Sequence, residues 1–382
     1  MKRRCLRILL VLMLLFLLVL PVCAEEEMSA EEIYQEQFDA SGAQALWDNL
    51  PPETLRLLDN LGITGIDQNE FSSVSPQGVL DSVLKLLSDQ AGGPLRAGGV
   101  LLGILLLAAL MDSLRHTVRE EAVAGVFQTI CTLAACTAVL VPVSGCIRAV
   151  CEAAESASVF MGSFVPVYAG VLLTGGQVAA AASYQTIVLF VAELFSWLAT
   201  SVILPLMTIS LALCMTGSVT SGMKLDAVGG FINKTAVWLL GISMTLFVGL
   251  LSLQTLVGAA ADTLGGRAIK FSLASFVPVV GGALSEAFAT VKSCLGLLKS
   301  TLGGFGILAT ALIVLPPLLE CAVWTLLLSV CAMVADILDL KTISGLLTAV
   351  RSVVNTLIGI LSACSLFMIV ATSILTLAGG KT

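Results

Sequence analysis

Long apolar runs, separated by short polar segments, fill most of the chain after residue 96. Six of them are long enough to cross the hydrocarbon core of a bilayer, which is about 30 Å thick and needs about 20 helical residues. Lipid offers no hydrogen-bond partner to an unpaired backbone group, so these runs predict helices rather than an open sheet. They lie at 97–114, 122–143, 187–215, 231–257, 304–334 and 343–378, and the last two are longer than one simple span.

Two further apolar runs, at 159–182 and 271–290, are rich in Gly, Ser and Pro. Each contains the pentapeptide SFVPV, first at 163–167 and again at 275–279. If both runs are re-entrant, the membrane domain has six spans, and if both cross, it has eight. Both numbers are even, so both place Thr382 on the same side of the membrane as the segment that precedes the first span.

The shared pentapeptide predicts an internal duplication, which is a common way of building transport proteins. The copies would cover about 115–226 and 227–338, with a partial third copy at 339–382. Chance similarity is the alternative explanation, because apolar sequence of low complexity matches itself easily.

Pro166 and Pro278 occupy the same position in the two pentapeptides. Proline lacks a backbone donor and interrupts a helix, and an interrupted helix at membrane depth is tolerated where it is buried in protein or lines a water-filled cavity. We therefore predict two helix breaks beside a shared pathway, with Gly281 and Gly282 directly after the second. The alternative is a pair of kinks packed among neighbouring helices.

Two carboxylates, Glu193 and Glu320, lie inside apolar runs. A charged side chain at the bilayer centre costs about 2.5–3.5 kcal/mol on insertion scales, so such residues usually face protein or water. Both are candidates for lining a pathway. They do not occupy equivalent positions in the two copies, which argues against a paired ion site.

Composition excludes most soluble functions. Hydrophobic residues make up 57% of the chain and charged residues 12%, whereas soluble domains carry about 25% charged residues. His116 is the single histidine, and the eleven cysteines form no C-x-x-C pair, so we expect neither an enzyme nor a metal site or other cofactor. No phosphate-binding glycine motif and no basic patch is present, so we expect no nucleic-acid partner.

The first 24 residues have the order of a secretory signal peptide. Four basic residues precede an apolar stretch from Ile8 to Val22, and small side chains follow. We predict cleavage between Ala24 and Glu25, and the alternative is an uncleaved first membrane helix. In either case residues 25–95 leave the cytoplasm.

The exported segment 25–95 is acidic and mainly helical by its pattern. It holds fourteen Asp and Glu against Arg56 and Lys85. Leucines recur at helical spacing before and after Pro51–Pro52, and a second such pattern at 77–90 is followed by Gly92, Gly93 and Pro94, which should stop the helix. This segment is either a docking surface for another exported protein or a solvated spacer.

The whole pattern resembles the stage III sporulation protein AE family of endospore-forming bacteria. The most specific part is 271–306, which contains SFVPVVGGALSEAFATVKSCLGLLKSTLGGFG with Pro278, Gly281, Gly282, Ser285 and Lys299. The resemblance implies a multi-pass protein of the mother-cell membrane, in a channel complex that joins mother cell and forespore and is needed for late forespore gene expression. The implied partners are the other membrane proteins of that complex and a forespore-membrane protein across the intermembrane space.

The residues alone indicate an all-α polytopic membrane protein with a small exported region, and they leave two functions open. One is a structural and conducting component of a larger complex. The other is a self-contained secondary transporter or permease subunit, which the repeat and the membrane carboxylates would suit. The exported acidic segment favours the first, because an autonomous transporter does not need it.

Overall fold

The computed structural model describes residues 29–66, 75–115, 121–219, 225–276 and 281–379. Side chains are described in these ranges except at 76, 114–115, 121–125, 179–180, 183, 219, 225–226, 253–276, 281–288 and 374–379. All the regular structure in this part of the chain is helical, as the apolar runs predict. The predicted signal peptide, with its cleavage site between Ala24 and Glu25, lies outside the described residues.

Three short helices form the first part of the acidic segment: α1 (Ala30–Ser41), α2 (Gln44–Asp48) and α3 (Pro52–Asn60). The chain enters α1 through a capping box, in which the Ser29 amide donates to Glu32 Oε2 at 2.8 Å and the Glu32 amide donates to Ser29 Oγ at 3.2 Å. A break before Pro52 was expected and is confirmed. The apolar side chains of these helices turn inward, with Phe38, Leu46, Leu58 and Ile63 buried.

The next helix, α4 (Pro76–Arg115), corrects one expectation. Gly92, Gly93 and Pro94 do not stop it, and the helix continues through Pro94 into the first apolar run. A proline removes one backbone hydrogen bond of a helix. Packing compensates for that loss, because α4 lies against later helices and Gly98 contacts the Leu327 side chain.

The remaining elements are long. They are α5 (Glu121–Thr174), α6 (Val178–Trp197), a π-helical segment (Leu198–Ile203), α7 (Leu204–Val219), α8 (Leu225–Phe276), α9 (Gly281–Ile337) and α10 (Lys341–Gly379). Six stretches in the described residues are long and apolar enough to cross a membrane, and each contains most of one of the six predicted spans. They are Gln77–Ser113, Val126–Thr174, Tyr184–Ser218, Ala227–Ser252, Ala289–Ile337 and Lys341–Ser373.

The helices run between two ends of the molecule, which we call the Asp339 end and the Gly176 end. At the Asp339 end, α9 turns into α10, and Gln128 at the start of α5 donates to Thr342 Oγ1 at 3.4 Å. At the Gly176 end, α5 turns into α6. From Gln128 to Thr174, α5 alone is about 70 Å long at 1.5 Å per residue, more than twice the thickness of the hydrocarbon core.

Helix α10 packs against four other long helices along one side. It packs along α9 in a hairpin and also contacts α8, α5 and α7. Helices α1 and α3 pack against α9, and α1 and α2 contact α5. The Cys294 thiol donates to the Ala30 carbonyl at 3.4 Å, and Trp47 stacks on Phe305 with ring centroids 6.2 Å apart. Helices α1–α3 are therefore packed onto the long helices instead of forming a free spacer.

Candidate functional site

Pro166, the first predicted helix break, lies inside α5, which continues to Thr174. The expected interruption is not found there. The proline is exposed, whereas Phe164, Val165 and Tyr168 around it are buried. Neighbouring helices commonly stabilise a proline within a membrane helix, and the packing of these three side chains has that effect here. A place for Pro166 on a pathway stays a prediction.

The SFVPV element of α5 forms part of an aromatic ladder. Phe160, Phe164 and Tyr168 stack in sequence along one face of α5, with ring centroids 5.7 and 5.5 Å apart. Tyr184 of α6 extends the ladder at 6.0 Å, and Phe305 of α9 contacts Phe160 edge-on at 6.2 Å. This arrangement makes the element a packing core between three helices.

Lys299 lies at the turn that follows α5. Its Nζ donates to Gln177 Oε1 at 3.1 Å and would stand 2.8 Å from a Cβ on Gly175. A cation near the C-terminus of a helix interacts favourably with the helix dipole, and Gly176 has the left-handed φ of +76° that a helix-ending glycine adopts. Lys299, part of the most specific stretch of the sequence, therefore stabilises the Gly176 end.

The second SFVPV element is only partly described. Pro278 lies outside the described residues, and Gly281 and Gly282 are the first two residues of α9. The two elements differ in their surroundings as far as they are described. The first is inside one helix, whereas the second begins at the end of α8, where Phe276 is the last described residue before Gly281.

The two candidate carboxylates lie in different environments. Glu193 is exposed on α6. Glu320 is half-buried where α9 meets α5, and the Cys146 thiol is 4.0 Å from its Oε1. Cys321 also contacts the Cys146 thiol. Glu320 therefore belongs to a contact between two helices, and Glu193 belongs to the outer surface of α6.

A layer of polar side chains crosses the bundle nearer to its Asp339 end than to its Gly176 end. Ser210 Oγ of α7 lies 3.2 Å from Asn233 Oδ1 of α8, and Asn233 Nδ2 donates to Ser352 Oγ of α10 at 3.2 Å. Ser210 and Asn233 are buried. Buried polar groups are costly unless hydrogen-bonded, so this connection ties α7, α8 and α10 together at one depth.

The same layer continues to α9. Thr325 Oγ1 donates to Asn355 Oδ1 at 3.3 Å, and Arg351 Nη1 donates to Ser329 Oγ at 3.2 Å. Arg351 is half-buried and lies about 15 Å along α10 from Lys341, which is half the thickness of the hydrocarbon core. A cation at this depth is a candidate functional group by default.

Sequence analysis missed Arg351 and the two asparagines. The sequence does distinguish Arg351, because it is the one charged residue in the apolar run 343–378. Hydrogen-bond partners on two other helices, α8 and α9, were not readable from the run itself.

No group of three or more His, Cys, Asp and Glu side chains is placed to hold a metal ion within the described residues. The described cysteines are free thiols, and all but the half-buried Cys151 are buried. A small free thiol packs as an apolar side chain, which agrees with their place in apolar runs.

Comparison with known proteins gives a family. A family model described as stage III sporulation protein AE matches residues 63–379. A Bacillus subtilis (strain 168) protein described as stage III sporulation protein AE is 26% identical over 243 residues, which are 63% of this chain and 60% of that protein. The match thus spans less than two thirds of the length of that relative. No solved structure matches the chain.

Proposed function

Because the chain belongs to the stage III sporulation protein AE family, we propose that it is a structural and conducting membrane component of the channel complex between mother cell and forespore. In this role it supports late forespore gene expression. Family membership implies a role in sporulation, and the six membrane-length helices indicate a multi-pass membrane protein. The match over residues 63–379 is the observation that carries the proposal.

Residues 25–95 lie outside the cytoplasm in this proposal, and the Asp339 end faces the cytoplasm. The exposed ion pair of Lys341 with Asp339, 3.2 Å apart, suits a turn in water at that end. Helix α5 is about 40 Å longer than the hydrocarbon core, so its end at Gly176 projects from the membrane. Together with α1–α3 and the part of α9 around Cys294 and Phe305, this end of α5 forms an exported dome.

The exported dome supplies the surface for partners. Its core is apolar and closed by α1–α3, whereas the exposed side chains of those helices include many acids, such as Glu31, Glu36 and Glu53. In the proposal, the dome contacts other membrane proteins of the complex and a forespore-membrane protein across the intermembrane space. A packed dome supports docking over the solvated-spacer alternative.

An autonomous transporter is less well supported. Its substrate site would lie between the two repeats, yet the candidate acids Glu193 and Glu320 have different surroundings: the first is exposed and the second lies in a helix contact. The two repeats also differ in secondary structure. The turn at 175–177 aligns with 287–289, which lies inside α9. The duplication remains a proposal about the origin of the domain.

A gene deletion in the sporulating host tests the function. We expect normal vegetative growth, engulfment, and then arrest with loss of late forespore gene expression, all restored by the intact gene. A second strain carries a chain without residues 30–60 and reports on the dome, provided that immunoblotting of membranes shows it at the normal level. A normal yield of heat-resistant spores after complete deletion would refute the proposal.

A further inference from the structure

One face of α10 is exposed and almost free of large apolar side chains. Along the described part of the helix, exposed residues recur every three or four positions, which places them on a single face. The face runs about 26 Å from Gly345 to Ser362, close to the thickness of the hydrocarbon core. Its members are Gly345, Thr348, Ser352, Asn355, Gly359 and Ser362, between Lys341 at one end and Leu366 at the other.

Neighbouring helices expose a different surface. Helix α8 exposes Phe231, Trp238 and Leu246, each more than 60% exposed. Helix α9 exposes Leu326 and Ile337, at 68% and 76%. Such side chains suit contact with lipid tails. On the described part of α10, Leu366 is the only large apolar residue with comparable exposure.

Helices α8 and α9 both pack against α10, and each donates a hydrogen bond to its polar face. We call this face, together with the two helices beside it, the α10 groove. Asn233 of α8 donates to Ser352, and Thr325 of α9 donates to Asn355. Asn355 nevertheless stays exposed, so its amide has hydrogen-bonding groups left over.

Arg351 adds a charge beside this groove. Its guanidinium donates to the neutral hydroxyl of Ser329, and no carboxylate pairs with it among the described side chains. A guanidinium at this depth is tolerated when it faces water or a paired anion, and lipid provides neither.

We infer that the α10 groove faces a water-filled passage that several chains enclose together, and that Arg351 makes this passage favour anions. This inference rests on the proposed function and adds to it the face that conducts. A lipid-facing groove would leave Asn355 and Arg351 unsolvated. A dry contact between two copies of α10 around a symmetry axis would bring two Arg351 side chains together, which like-charge repulsion disfavours. Rings of basic residues are the usual lining of anion pores.

Cysteine accessibility tests the inference in sporulating cells. The parent protein lacks the native cysteines and is used only if it still forms spores. Otherwise the native chain with Cys151→Ala and Cys294→Ala serves, because all the remaining described cysteines are buried. Ser352→Cys and Asn355→Cys are treated with membrane-impermeant methanethiosulfonates carrying either a sulfonate or a trimethylammonium group. Leu326→Cys is the matched control, because Leu326 follows Thr325, which contacts Asn355, and so lies at the same depth.

We expect both groove cysteines to react and Leu326→Cys to stay unmodified. After normalisation to a free thiol in solution, Asn355→Cys should react about tenfold faster with the anionic reagent, because a nearby cation attracts it. Arg351→Gln should remove that preference, and Arg351→Lys should retain it. Protection of both groove positions, or equal reaction at Leu326, would overturn the passage. Reaction without charge preference would overturn the role of Arg351.

The experiments can refute the water-filled passage without refuting the proposed function. A strain in which Ser352→Cys and Asn355→Cys are protected but spore yield is normal would refute the water-filled groove and leave the sporulation role in place. A normal spore yield in the deletion strain would refute the role itself.

Discussion

Phe164 of α5 fills the space in which any side chain on Gly306 of α9 would lie. A Cβ built on Gly306 would stand 2.5 Å from the Phe164 ring, closer than real Cβ contacts occur. Both residues are buried, and Phe164 is also part of the aromatic ladder. Two of the longest helices therefore approach each other at a point where only glycine fits.

Gly306→Ala should destabilise the folded protein by about 1–3 kcal/mol, because an added methyl group in a well-packed core forces displacement of a neighbouring ring. Gly304→Ala is the matched control, since Gly304 lies on the same helix, is exposed and has no atom within 4 Å of a Cβ. Alanine there should be neutral or stabilising by up to about 1 kcal/mol through its helix propensity. Thermal unfolding in detergent measures both. Equal midpoints for the two variants would contradict the close approach.

The polar layer predicts a cost for removing Asn233. Asn233→Ala removes the link to Ser352 and leaves Ser210 without that partner, and we expect a loss of about 0.6–2 kcal/mol, the range for hydrogen bonds between membrane helices. Thr235→Ala is the control, because its exposed hydroxyl bonds the backbone of Phe231 in its own helix. Unfolding midpoints in the same detergent give the comparison. A larger effect at Thr235 would speak against the layer as a link between helices.

The packing of α1–α3 on the long helices predicts a cross-link between α1 and α9. With Ala30→Cys, a short bis-maleimide should join the new thiol to native Cys294, because the Cys294 thiol lies 3.4 Å from the Ala30 carbonyl. Glu36→Cys, on another face of α1, should not cross-link. Mass spectrometry of the digested protein identifies the joined peptides. Absence of the Ala30–Cys294 product, with both thiols reactive alone, would support a free spacer.

The apolar runs predicted the membrane helices well, because run length and the need to pair every backbone group leave few alternatives in lipid. They predicted helix ends poorly. Gly92, Gly93 and Pro94 were expected to stop α4, and Pro166 was expected to break α5. A local rule about proline does not include the packing of Phe164 and Tyr168, which keeps the helix intact.

The candidate site was predicted only in part. Glu320 was singled out for its charge in an apolar run. It lies in a helix contact, and its place on a pathway stays a prediction. The α10 groove was not foreseen, because in an almost wholly apolar helix the spacing of small and polar residues does not reveal which face the neighbours cover. That depends on how α8 and α9 flank α10, which is a property of the tertiary arrangement.

The two ends of the bundle predict the topology. Asp339 and Gly176 lie in turns at opposite ends of α5 and its neighbours, so they should face opposite sides of the membrane. With residues 25–95 exported, α4 carries the chain inward, and Asp112 near its end lines the same small cavity as Leu340 and Thr342. Alkaline phosphatase fused after Asp339 should therefore be inactive, and phosphatase fused after Gly176 or Thr382 should be active. The positive-inside rule does not decide the matter, since basic residues are present at both ends, so the reporters provide independent information.

An active fusion at Asp339 together with an inactive one at Gly176 would mean that the topology is inverted and that the dome lies in the cytoplasm. An inactive fusion at Thr382 alone would mean that the last apolar run does not return to the exported side.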